Sequence, residues 1–187
     1  MRATVICNPA AGQHDCHEEL LQVIRYLEGQ GIQIDSVEET HGPSDVTTYA
    51  RRAALRGSDV VFLSGGDGSI AEAVDGLVNT ETALAVLPSG TGNVFARQLN
   101  LPVPGGIHAR PLLESARLLL AGQVRRVDVG RVTPRGAMTP ARHFLLWCGI
   151  GFDAAVNIGL HADLKRKRRL GLIATVITGF LTLRDFA

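Results

Sequence analysis

Neither sign of charge dominates this chain. In 187 residues there are 19 Lys and Arg against 18 Asp and Glu, a net charge of +1. No whole-chain field therefore directs it toward nucleic acid or another strongly anionic partner. Cysteine is scarce: Cys7, Cys16 and Cys148 are odd in number and widely spaced. That excludes a disulfide framework and favours a reducing cytoplasm. Long hydrophobic runs are missing too. The longest, residues 170–183, is broken by two glycines and three threonines, and it falls short of the roughly 20 apolar residues that span a bilayer. The start, MRATVICNP, has no hydrophobic core of signal-peptide length. With 45% hydrophobic and 20% charged residues, the composition is that of a soluble globular protein. The reading is cytoplasmic, with contact at the membrane periphery left open.

What is present is punctuation by glycine. Residues 3–7 form a short β-rich run that stops at NPAAG. Residues 18–28 carry Leu20, Leu21, Ile24 and Leu27 at helical spacing, closed by Gly29 and Gly31. A strand is expected at 32–37. A helix capped by Ser44 should then run to about Arg56. The stretch VVFLSGGDGSIAEAVDGL (60–77) crosses from a fully apolar strand through glycines into a helix expected over 70–78. Another apolar strand at 83–87 leads through PSGTGN to a short helix at 94–99, and a further helix is expected at 111–121. Strands alternating with helices predict an α/β fold: a doubly wound, mostly parallel sheet with both faces covered. In such sheets ligands bind outside the carboxyl ends of the strands, so the three glycine turns should gather at one edge.

The pattern changes near residues 122–126. Strands at 126–132 and 143–150, separated by a polar connection, read as an antiparallel hairpin, and 160–186 shows one apolar helical face. We divide the chain into an α/β domain, 1–124, and a partial, β-rich second domain, 125–187. Two or three strands and a helix make a poor independent unit.

Three clusters could carry chemistry. In SGGDGS, Gly65 and Gly66 let backbone approach a bound group, and amides at the following helix start suit an anion. Asp67 is out of place beside a bare phosphate; it fits a hydrated Mg²⁺ or a hydroxyl proton. The plainer alternative is a β–α turn with Asp67 and Ser69 capping a helix. PSGTGN adds a second anion loop, with Thr91 and Asn93 as polar contributors. A tight turn explains either loop alone, but less readily two such loops at one sheet edge. His14-Asp15-Cys16-His17 lacks the spacing that convergent zinc ligands need, and reads as a polar loop and helix cap. The run Lys165-Arg166-Lys167-Arg168-Arg169 is either a solvated face or a patch for anionic headgroups.

NPAAG, Thr40, SGGDGS with Glu72, LPSGTGN with Phe95-Ala96-Arg97, VDVG at 127–130 and GIGFD at 149–153 occur in this order. Together they resemble the diacylglycerol kinase catalytic-domain family, which includes bacterial lipid kinases and sphingosine kinases. The resemblance implies ATP-dependent phosphorylation of a lipid hydroxyl with Mg²⁺, and a β-sandwich-like second domain, truncated here. By the same resemblance, Asn8, Pro9, Ala10, Ala11, Gly12, Thr40, Gly65, Gly66, Asp67, Gly68, Ser69, Glu72, Gly90, Thr91, Gly92 and Asn93 would bind ATP. Asp67 would be the catalytic and metal residue. Expected partners are ATP and a lipid at a membrane surface, not nucleic acid, with a homodimer left open.

The sequence departs from the family in three places. Gln13 follows NPAAG where many relatives have a basic residue, and Val94 stands where bacterial diacylglycerol kinases often have Asp. Relatives also run on for roughly a hundred residues, a normal second-domain size, and supply a late acidic general base. The chain is therefore expected to be a fragment, to be completed by a partner chain, or to be a non-catalytic nucleotide- or lipid-binding remnant. An NAD kinase, which also carries GGDG, is the enzyme alternative.

Overall fold

The four apolar runs of the first half assemble into one sheet whose order is β2-β1-β3-β4, every neighbouring pair parallel. The strands are β1 (Arg2–Cys7), β2 (Gln33–Glu39), β3 (Val60–Gly65) and β4 (Ala83–Pro88). Helices α1 (His17–Gly29), α2 (Asp45–Leu55), α3 (Asp67–Leu77), α4 (Val94–Gln98) and α5 (Pro111–Ala121) follow the strands or extend beyond them. A two-stranded antiparallel ribbon, β5 (Gly130–Val132) and β6 (Arg142–Phe144), and helix α6 (Phe152–Ala162) follow. This computed structural model describes residues 1–12, 17–134, 141–146, 148–162, 178 and 182. Gln13, most of the His14–His17 cluster, the Lys165–Arg169 run and nearly all of 170–183 lie outside the described residues.

Each face of the sheet has its own core. Ala3, Val5, Val60, Phe62, Ala85 and Leu87 point to one side and pack on Leu20, Val23 and Leu27 of α1 and Leu112, Leu113 and Ala116 of α5. Ile6, Val61, Leu63 and Val86 point to the other, against α2, α3 and Ala96 of α4. The alternation is the period of two expected of a strand. Central β3 is buried along its whole length, whereas β2 alternates half-buried and exposed positions. An edge strand studded with Asp35, Glu38 and Glu39 resists pairing with another chain. Phe62 is 1% exposed, and its truncation to Ala would cost about 3–5 kcal/mol.

Local details differ from expectation where distant groups intervene. Ser44 sits at the N-cap of α2 but is left-handed (φ 67°), and its side chain makes no capping bond. The next carboxylate takes over: Asp45 Oδ2 accepts from the amides of His41 (2.8 Å) and Gly42 (2.9 Å). Those bonds hold the Asp45 carboxyl below its ordinary range. Helix α3 starts at Asp67 rather than Ile70, because extended Gly66 serves as its N-cap. Residues 123–129 form no strand; pairing is confined to the short β5–β6 ribbon, antiparallel as expected. Helix α6 begins inside GIGFD, earlier than the periodicity of 160–186 suggests.

The chain separates into two compact units, Met1–Leu145 and Leu146–Ala187. The first runs past the composition change at 122–126 because the ribbon is pinned to α3. Asp75 Oδ1 accepts from the His143 amide (2.8 Å) and meets its Nδ1 (3.0 Å), while Oδ2 pairs with Arg142 Nε (2.7 Å).

Candidate functional site

Strand order reverses between β1 and β3: from β1 the chain moves outward to β2, then returns to the other side as β3. That switch point opens a crevice at the carboxyl edge, the usual ligand position in doubly wound sheets. NPAAG leaves β1 and SGGDGS leaves β3 on either side of it, and PSGTGN leaves β4 next door.

The turns are bound to one another. At the end of β1 the Asn8 amide donates to Ser64 O (2.9 Å), and its Nδ2 donates to Ser69 Oγ in α3 (2.9 Å). Asn8 Oδ1 accepts from the Ala10 amide (3.0 Å), closing an Asx turn that shapes NPAAG. Gly12 is left-handed at φ +76°, and a Cβ there would lie 2.0 Å from Ser89 O. No other residue fits between the first and third turns at that point. Between the second and third, a Cβ on Gly66 would come 3.1 Å from Gly90 Cα, and one on Gly90 2.5 Å from Gly66 Cα. Under them the hydroxyls of Ser64 and Ser89 meet at 3.3 Å, both buried.

Asn93 and Asp67 organise the third turn. Asn93 is 2% exposed and left-handed; its Oδ1 accepts from the Gly90 amide (2.9 Å), and its Nδ2 donates to Gly90 O (2.6 Å). Asp67, at the first turn of α3, reaches the neighbouring third turn. Its Oδ2 accepts from the Val94 amide and its Oδ1 from the Phe95 amide, each at 3.0 Å. Val94 thus contributes its backbone to Asp67. Thr91, Gly92 and Gly68 are exposed around this ring, as are Pro9 and Ala10, while Ala11 is half-buried.

Thr40 also reaches this edge: its amide donates to Cys7 O at 2.9 Å, and the residue is 7% exposed. Glu72 has different company. It lies five residues beyond Asp67, about 140° further round the helix. Its carbonyl accepts from Thr47 Oγ1 (2.8 Å). Burial pushes its carboxyl above the ordinary range, offset by attraction to Arg142 and the Ser44 amide and reinforced by Asp45 and Asp75. The structure therefore gathers NPAAG, SGGDGS, PSGTGN and Thr40, and sets Glu72 beside α2 and the ribbon. Ser64 and Ser89 escaped sequence reasoning although each is a hydroxyl at the end of an apolar strand. The Asp75–Arg142–His143 group left no local signal, since its members are 67 and 68 residues apart.

The ring forms a shelf at the carboxyl edge, with Gly68, Thr91 and Gly92 exposed on it. A hollow of about 400 Å³ lies at the opposite edge of the sheet, lined by Arg51, Leu55, Gly76 and Asn79 among others; its position follows the C-terminal ends of α2 and α3, away from this chemistry. The shelf suits phosphate. The first amides of α3 have no intrahelical acceptors, and glycine lets a ligand approach the backbone. Among the described residues no three His, Cys, Asp or Glu side chains converge to hold a metal. Mg²⁺ in phosphate sites needs only one or two carboxylates, completed by phosphate oxygens and water. Asp67 meets that requirement, because an ionised carboxylate has about four lone-pair sites and two are engaged here.

Comparison with known proteins agrees with this arrangement. A family model described as "Diacylglycerol kinase catalytic domain" matches residues 2–132. The chain is 36% identical to a diacylglycerol kinase of Bacillus subtilis (strain 168) over 133 residues, 70% of this chain and 42% of that protein. It is 29% identical to one from Mycobacterium tuberculosis (strain ATCC 25618 / H37Rv) over 207 aligned positions, 99% of this chain and 64% of the relative. A crystal structure of a diacylglycerol kinase from Bacillus anthracis str. Sterne superposes with a TM-score of 0.56 at 30% identity. It covers 68% of this chain and 46% of that one. The chain thus spans less than two thirds of the relatives it matches, and within that span it belongs to the diacylglycerol kinase catalytic-domain family.

Proposed function

We propose that this chain is the nucleotide-binding part of an ATP-dependent lipid kinase that transfers the γ-phosphoryl group to a lipid hydroxyl. The observation that carries this reading is the ring of three glycine turns, joined to one another at the switch point of the sheet. Phosphoryl transfer asks the protein mainly for positioning and charge neutralisation. Amides of the SGGDGS and PSGTGN turns, with Thr91, hold the phosphates, and NPAAG with Thr40 borders the nucleotide. Asp67, with lone pairs left over from its two amide bonds, would hold Mg²⁺ or the acceptor hydroxyl. Mg²⁺, when bound, neutralises charge on the phosphate oxygens. In the transfer the hydroxyl oxygen bonds to the γ-phosphorus, the bond to the β-phosphate oxygen breaks, the hydroxyl proton passes to a base, and ADP leaves.

A diacylglycerol- or sphingosine-like acceptor implies work at a membrane surface. No helix among the described residues is long and apolar enough to cross a membrane; in this reading the chain meets its lipid at the membrane periphery. The test is thin-layer separation after incubating labelled ATP with lipid extract or with NAD, using the chain together with whatever sequence follows Ala187 in its gene. Labelled lipid supports the reading, and labelled NADP overturns it in favour of an NAD kinase. ATP binding with no transfer to either overturns the catalytic half and leaves a nucleotide-binding module.

A further inference from the structure

We propose that Asp67 is a positioning residue for the PSGTGN turn: its carboxylate caps α4 and so sets the shape of the phosphate shelf with or without metal. The inference rests on the nucleotide-binding reading only for the identity of the ligand; the cap itself rests on geometry.

Asp67 is the first residue of α3, yet Gly66 is that helix's N-cap and no side chain caps it. The carboxylate instead crosses to Val94 and Phe95, one oxygen to each amide. Helix α4 cannot supply this for itself. Its own N-cap residue, Asn93, is of a type that commonly caps helices, but it makes no capping bond and turns its side chain inward to both polar groups of Gly90. With 5 residues, α4 is also far below the length at which a helix holds its shape unaided. The turn between Gly90 and Val94 is therefore held from inside by Asn93 and from outside by Asp67.

The arrangement explains why an aspartate is tolerated on a phosphate shelf. A free carboxylate there would repel the ligand. One that accepts two amides at a helix N-terminus has its charge partly compensated. Removing Asp67 consequently has two effects of opposite sign on metal-free nucleotide binding. Loss of negative charge strengthens it, and loss of the cap weakens it by loosening the third turn. If the carboxylate served only a metal or a proton, the first effect alone would remain.

The test uses the whole 187-residue chain in EDTA, comparing wild type with Asp67→Ala and Asp67→Asn by amide hydrogen exchange and ADP titration. In Asp67→Ala, exchange at both Val94 and Phe95 should accelerate about fivefold or more, the factor a typical helix cap contributes, and ADP should bind more weakly than to Asp67→Asn, which removes the same charge. Asp67→Asn keeps one acceptor oxygen, so one of the two amides should stay protected and the ADP loss should be smaller. Should Asp67→Ala fail to fold, Asp67→Asn carries the comparison. Unchanged exchange at both amides, or metal-free ADP binding to Asp67→Ala as tight as to Asp67→Asn, overturns the proposal. A wild-type chain that binds no ADP counts against the kinase reading instead, and the exchange comparison then decides the cap by itself.

Discussion

Asn8 and Ser69, 61 residues apart, are joined by a 2.9 Å hydrogen bond that runs from the end of β1 to the first turn of α3. The same side chain shapes its own turn through Ala10, so Asn8 serves two turns at once. Replacement by Ala should cost about 1–2 kcal/mol in unfolding free energy, since a partly buried donor and acceptor pair is lost. Asn8→Asp keeps an acceptor for Ala10 and can accept from the Ser69 hydroxyl, so its melting temperature should stay close to wild type. Its added charge should nevertheless weaken ATP binding. Denaturant titration beside calorimetric ATP titration checks the pair; equal loss of stability in both variants would refute the assignment.

Gly12→Ala places a methyl group against Ser89 O in a backbone region that suits glycine. Unfolding free energy should drop by about 1–3 kcal/mol, the range for a non-glycine residue held in a strained conformation. ATP binding should fall further than that, because the displaced carbonyl belongs to the third turn. An ATP dissociation constant within twofold of wild type would show that the first turn does not shape the shelf.

Asp75→Ala should release the ribbon from α3. Arg142 and His143 lose their common partner, and the unpaired, partly buried His143 amide costs about 1–3 kcal/mol. Hydrogen exchange at the His143 amide should quicken while exchange in β3 stays slow. Equal acceleration in both places would mean global unfolding rather than a local release.

Glu72 predicts a dependence of stability on pH. Burial, the largest influence, raises its folded-state pKa above the ordinary glutamate value. A raised acid favours folding while protonated, so its contribution is full below about 4.3 and is lost as pH rises through the folded-state value. Glu72→Gln keeps an acceptor for the Ser44 amide and removes that loss. The variant should therefore gain melting temperature over wild type as pH goes from about 4 to about 7. A difference that is flat across this range would contradict the shift.

The parallel sheet and the meeting of its glycine turns were legible in the sequence because both are local. Apolar runs such as Val60–Leu63 cannot sit at a surface, and glycine directly after a strand marks a turn wherever that strand ends. Helix limits were less legible where a remote group decides them. Ser44 has the right chemistry for a cap and does not cap, because its backbone is left-handed rather than in the extended region a capping residue adopts. Asp67 stood out in the sequence as a candidate site residue, but its bonds to the Val94 and Phe95 amides could not be read there, since those partners lie 27 and 28 residues away. Such bonds exist only once the sheet has brought the turns together.

The near contact of Gly66 with Gly90 bears on how the shelf responds to a ligand. Two turns whose backbones already touch, tied at either side by Asn8 and Asp67, have few arrangements left to lose. The conformational entropy of ordering them is lost during folding and is not lost again when a ligand binds. Association at this shelf should accordingly resemble a lock taking a key, with little change in backbone order on either side of the event.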